Sequence, residues 1–172
     1  MKNISKKITG FTLIELMVVI TIIGILAVIV LPNLGTVRGR GQDTAIKEQM
    51  TQFRATAAIY YDEQYGYTTG AVGSALSGTC LNGSVANSAV FPSGSVFTSA
   101  DFVRVANGIR SNAAVMPNCY MGANSIKSQS WAITAKMRTS TGYWCVDSNG
   151  NSNAIADDAG VVTTGEAVCP AS

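Results

Sequence analysis

The chain has 172 residues, 47% of them hydrophobic and 13% charged, with no histidine and a formal net charge of +2, the size of a single domain. Without histidine the sequence offers no Ser/His/Asp or Cys/His triad, no imidazole metal ligand and no histidine pH switch. Lys2, Lys6 and Lys7 place +3 before Phe11 and leave −1 on the rest, which lacks the broad basic footprint of a nucleic-acid binder.

The first element is the run Phe11 to Leu31, which holds fifteen Phe, Leu, Ile or Val residues and one charge, Glu15. As a helix its 21 residues reach roughly 30 Å, enough to cross a bilayer. On an insertion scale the apolar residues contribute about −4.5 to −9 kcal/mol against about +3 for the carboxylate, so insertion wins. The lysines ahead of the run predict a cytoplasmic N-terminus. A secretory signal would have a shorter apolar core and a small-residue cleavage site, whereas here Pro32, Asn33 and Leu34 follow.

A plain signal anchor leaves Glu15 unexplained, because a carboxylate in a membrane helix needs a specific partner. Cutting after Gly10 would create one, the amine of a chain beginning at Phe11. The motif GFTLIE at Gly10 to Glu15 resembles the processing signature of the type IV pilin and pseudopilin family. The likeness covers roughly residues 1 to 62: the leader, cleavage point, apolar helix with Gly24 and Pro32, and the start of an amphipathic helix. It implies that a prepilin peptidase removes the basic leader 1–10 and methylates the Phe11 amine. It also implies that Glu15 pairs with a neighbouring subunit's amine during assembly. Spacing supports the pairing independently, since Glu15 at i+4 from Phe11 lies near a helix N-terminus that favours an ionised carboxylate. In a low-dielectric core such a pair penalises wrong registers more than it stabilises.

Pro32 cannot donate to the helix ladder and Gly24 has low helix propensity. The family likeness implies local melting between them in the filament, over Ile25 to Leu31; a static kink is the plainer reading. Gly35, Gly39 and Gly41 predict a weak helix until about Gln42. From there Ile46, Met50, Phe53, Ala57 and Tyr60 or Tyr61 recur at spacings of four and three, a core-facing stripe. Asp43 and Lys47 are spaced for an i,i+4 ion pair, and the amphipathic half, 32–65, should end near Glu63 to Gly66.

Residues 66–130, rich in Gly, Ser, Ala and Asn, read as a variable connection interrupted by short elements, including a helix over Ser99 to Asn107. Strand signals come in 131–172. Trp131, Ile133, Ala135 and Met137 alternate with Ala132, Thr134, Lys136 and Arg138, and a turn leads to Tyr143 to Asp147, an antiparallel hairpin. A further turn at Asp147 to Gly150 and a strand over Gly160 to Thr164 complete a small meander. The expected fold class is α+β, a long N-terminal helix packed on a small antiparallel sheet.

Cys80, Cys119, Cys145 and Cys169 show no C-x-x-C spacing, so two disulfides in an oxidising compartment fit better than zinc or thiol redox chemistry. Of three connectivities, Cys80 with Cys119 and Cys145 with Cys169 is favoured because each closes one local region. The resemblance supports a C-terminal disulfide loop and leaves the other pair open. The run Asp147 to Asn153, with Asp157 and Asp158, has oxygen ligands but a misplaced glycine and no terminal Glu for an EF-hand, so turn chemistry is the reading and no metal or cofactor is expected. Lys127, Lys136 and Arg138 are three dispersed charges, which leaves DNA contact unsupported.

With the resemblance, these readings describe a non-enzymatic subunit of a homo-oligomeric type IV pilus filament, supporting adhesion, motility or DNA uptake. The implied partners are the prepilin peptidase, an inner-membrane assembly platform and an assembly ATPase. The implied path runs from a single-pass inner-membrane precursor to an extracellular pilus, or to a periplasmic pseudopilus. The alternatives are a pseudopilin of type II secretion and a minor-pilin binding module or adhesin using Ser77 to Asn124 as its contact surface.

Overall fold

The computed structural model describes residues 10–80, 91–113, 115–123, 125, 128–163 and 165–170. The leader lysines, Lys127 and the interior of the connection at 81–90 lie outside them. The chain divides into two compact units, Met1–Arg38 and Gly39–Ser172. Helix α1, Leu13–Gln64, contributes its first part to one and its second part to the other.

In the first unit every described side chain but that of Ala27 is exposed, and Leu13–Pro32 is long and apolar enough to cross a membrane. Pro32 lies inside the helix, which loses one ladder donor there but continues. Ile25 to Leu31 are likewise helical in this single chain.

In the second unit the helix begins earlier than its glycines predict, being regular through Gly39 and Gly41. A Cβ on Gly39 would lie 3.0 Å from the Thr139 methyl, so this glycine permits a close approach. The stripe Ile46, Met50, Phe53 and Ala57 is fully buried. At its centre the Phe53 ring meets Phe102 and Trp131 edge-on, each at 4.9 Å between centroids. Such pairs add about 0.5–1.5 kcal/mol beyond burial.

Five strands, β1 (Leu76–Thr79), β2 (Asn118–Met121), β3 (Trp131–Lys136), β4 (Tyr143–Asp147) and β5 (Ser152–Ile155), form an antiparallel sheet in chain order. The span read as a connection thus supplies two sheet strands and helix α2, Ala100–Asn112. Four-residue strands containing Ser, Gly and Asn carry too little apolar alternation to announce themselves; register comes from pairs such as Gly78 opposite Cys119. Helix α2 starts where Ser99 Oγ accepts the Phe102 N–H at 3.2 Å, an N-cap. It runs past Asn107, burying Phe102, Ala106 and Ile109.

Strand β3 departs from the one-sided alternation expected of it. Trp131, Ile133 and Ala135 join the core around Phe53, but Ala132 and Thr134 are also fully buried. Ala132 belongs to a second cluster with Tyr120, Cys145, Ile155, Val161, Ala167 and Cys169. The C-terminal segment, including the short pair β6 (Val162–Thr163) and β7 (Glu166–Ala167), supplies that cover. The observed class is α+β.

Candidate processing and assembly site

Gly10 and Phe11 precede helix α1. Phe11 is 78% exposed, and nothing within 4 Å would meet a Cβ on Gly10. Both residues that border this peptide are exposed. Thr12 then starts the helix. Its Oγ1 accepts the Glu15 N–H at 3.3 Å, while Glu15 Oε2 accepts the Thr12 N–H at 2.8 Å and the Thr12 hydroxyl at 2.7 Å. This reciprocal capping box satisfies N-terminal donors that the helix itself leaves unpaired. Thr12 was not among the residues singled out from the sequence, although the T-x-x-E spacing before an apolar run was its signal.

Glu15 is therefore held back against the N-terminus of its own helix, beside Phe11. Beyond it Leu13, Ile14, Leu16 and Met17 remain more than half exposed. Each such side chain gains about 1.5–3 kcal/mol when removed from water, so this segment requires lipid or other helices around it. Gly24 and Pro32 lie on the same exposed helix, and a Cβ on Gly24 would meet no side chain or other segment within 4 Å.

In the second unit the cysteines are bonded as Cys80–Cys119 and Cys145–Cys169, with Cα separations of 5.0 and 5.7 Å. The first joins the ends of β1 and β2; the second fixes the C-terminal segment over the outer face of the sheet. Asp147 is fully buried and its carboxylate accepts N–H groups of Asn149, Asn151 and Cys169 at 3.0, 2.9 and 2.8 Å, plus the Asn151 side chain at 2.8 Å. The Asp147 to Asn153 run is thus a turn organised by a carboxylate whose lone pairs are occupied by donors. Asp158 accepts from Asn118 Nδ2 at 2.5 Å and Tyr120 Oη at 3.0 Å. Burial, reinforced by the Asp158 charge, pushes the Tyr120 phenol up to about 12.

The ion pair expected from spacing is not formed. Asp43 makes no ion pair with Lys47. It is buried, accepting Arg138 N–H at 2.7 Å, Thr139 N–H at 3.0 Å and the Thr139 hydroxyl, while the Lys47 ammonium lies 4.1 Å from the Trp144 ring centroid. Burial raises the Asp43 carboxyl, but the Thr139 and Arg138 hydrogen bonds and the Lys47 charge outweigh it and hold it below the usual range. Arg138 is exposed and hydrogen-bonded. Its guanidinium donates to Asn112 O at 2.5 Å and Ala113 O at 3.1 Å, satisfying carbonyls at the end of α2. Lys136 lies 5.8 Å from the Tyr143 ring centroid, and Lys127 is outside the described residues.

Residues 5–31 match the model of the prokaryotic N-terminal methylation motif. Over 60 residues the chain is 40% identical to the type IV wide pilus major component PilA4 of Thermus thermophilus, a stretch covering 35% of this chain and 46% of that protein. The match thus spans about half the length of the relative. No solved structure matches the chain. An exposed apolar helix opening on a prepilin methylation motif, an antiparallel sheet packed on the amphipathic half, and a pilin relative together support a type IV pilin family for this chain.

Proposed function

We propose that the chain is a prepilin whose mature form is a structural, non-enzymatic subunit of a type IV pilus filament. The observation that carries this reading is the exposed apolar helix headed by Glu15. A peptidase cuts between Gly10 and Phe11 and methylates the new amine; that chemistry belongs to the peptidase. Before assembly the helix holds the subunit in the inner membrane with its N-terminus cytoplasmic. An assembly platform and ATPase then extract it, and sister helices replace lipid around it.

Within the filament the Glu15 carboxylate meets the Phe11 amine of another copy. Each ion buried without its partner would cost several kcal/mol, so the pair selects one axial register. Ile25 to Leu31, between Gly24 and Pro32, is where the helix unwinds during packing. The disulfide-closed head forms the outer surface, through which the fibre serves adhesion, motility or DNA uptake.

The test is assembly of Glu15→Gln and Glu15→Leu chains in a processing-competent host, read by electron microscopy of sheared surface filaments. Processed subunit should accumulate in the membrane with few filaments. Normal filament yield from both variants would refute the register role. Long fibres built mainly of this chain distinguish a pilus from a secretion pseudopilus or a tip-located minor subunit.

A further inference from the structure

The sequence contains three Asn–Gly pairs, Asn82–Gly83, Asn107–Gly108 and Asn149–Gly150, and the fold treats the two described ones differently. Asn107 and Gly108 lie within helix α2, so the Gly108 N–H belongs to the helix ladder. A Cβ on Gly108 would come 2.7 Å from the Gln49 amide, so the backbone there is also closely packed.

Asn149 and Gly150 occupy the turn between β4 and β5, and both are exposed. The Asp147 carboxylate takes the N–H groups on either side, those of Asn149 and Asn151. Between them the Gly150 N–H has no acceptor among the described residues. Gly150 has φ of +98°, and nothing within 4 Å would meet a Cβ there. The Asn149 side-chain amide likewise makes no hydrogen bond among the described residues. An amide nitrogen free of its acceptor, beside an unengaged carboxamide and without steric cover, is the arrangement that intramolecular attack requires.

We infer that Asn149 is a site of spontaneous deamidation in this head. The Gly150 nitrogen, on losing its proton to water or hydroxide, bonds to the Asn149 side-chain carbonyl carbon. The carbon–nitrogen bond of the carboxamide breaks and ammonia leaves, giving a five-membered succinimide. Water then opens the ring at either carbonyl, so the net change is one water consumed, one ammonia released, and aspartate or isoaspartate formed. No catalyst or oxidant is needed.

The product matters because of what the turn holds. Isoaspartate lengthens the main chain by one atom between Asp147 and Asn151. Arg54 Nε donates to Asp147 O at 3.2 Å, its Nη2 donates to Asn151 O, and Asp147 also accepts the Cys169 N–H. The modified turn carries a new negative charge and disturbs the junction of α1, the sheet and the C-terminal disulfide loop.

The test is incubation of the purified full chain, disulfides intact and in detergent, at mildly alkaline pH, with tandem mass spectrometry locating each amide-to-acid conversion. Conversion at Asn149 should outpace that at Asn107 by roughly tenfold or more, because each helix hydrogen bond that must open first slows attack by about a factor of five to ten. Asn149→Gln should abolish the acidic species assigned to the turn. An intact Asn149 under conditions that convert Asn107, or equal rates at the two sites, would overturn the inference.

Discussion

Replacing Asp43 by alanine removes one carboxylate and three hydrogen bonds that tie the helix to the β3–β4 loop, those from the Arg138 and Thr139 N–H groups and the Thr139 hydroxyl. Each contributes about 0.5–1.5 kcal/mol net. Arg138 and Thr139 are exposed, so water replaces part of what is lost, and the expected cost is about 2–3 kcal/mol. For a chain of this size that lowers the melting temperature by about 5–10 °C. The effect depends on pH in a fixed direction. The folded carboxyl titrates below its ordinary value, so its stabilisation is complete above the unfolded pKa of about 4 and is lost as pH falls through the folded value. Denaturant unfolding of the detergent-solubilised parent and variant at neutral and acid pH measures both quantities. A difference under about 0.5 kcal/mol at neutral pH, below what even one such hydrogen bond contributes, or one unchanged on acidification, would show that the Asp43 carboxylate does not hold the helix to this loop.

Two further outcomes follow from the head. Opening the disulfides by paired Cys→Ser substitution should cost about 3.5 kcal/mol for Cys145–Cys169 and about 4 kcal/mol for Cys80–Cys119 on the chain-entropy relation, read as a loss of unfolding free energy. Spectrophotometric titration should show Tyr120, pushed up to about 12 by burial and Asp158, ionising last. Because that phenol is raised, its contribution is present below the unfolded tyrosine pKa and lost as pH rises through the folded one; Tyr120→Phe should remove the late step.

Some of this architecture could be read directly from residue order. Ile46, Met50, Phe53 and Ala57 declare a helix face because burial on one side imposes the helical period. The apolar run and Glu15 stand out because a lone carboxylate in a membrane segment is costly. What escaped the reading was non-local. Asp43 has Lys47 at the right spacing, yet its hydrogen-bond partners lie 95 and 96 residues away. Gly39 weakens a helix in isolation and is used to admit Thr139. Ala132 and Thr134 look solvent-facing only while nothing covers that side of β3, and the cover comes from the far end of the chain. Thr12 is legible from the T-x-x-E spacing, since Glu15 has this local partner as well as any amine at Phe11.

Intact mass of the subunits in sheared surface filaments decides whether this chain is cut after Gly10 and works as a filament subunit. The expected main component of the fibre is a chain beginning at methylated Phe11, with both disulfides formed. Filaments lacking this chain, or subunits that retain residues 1–10 in a processing-competent host, would contradict that expectation.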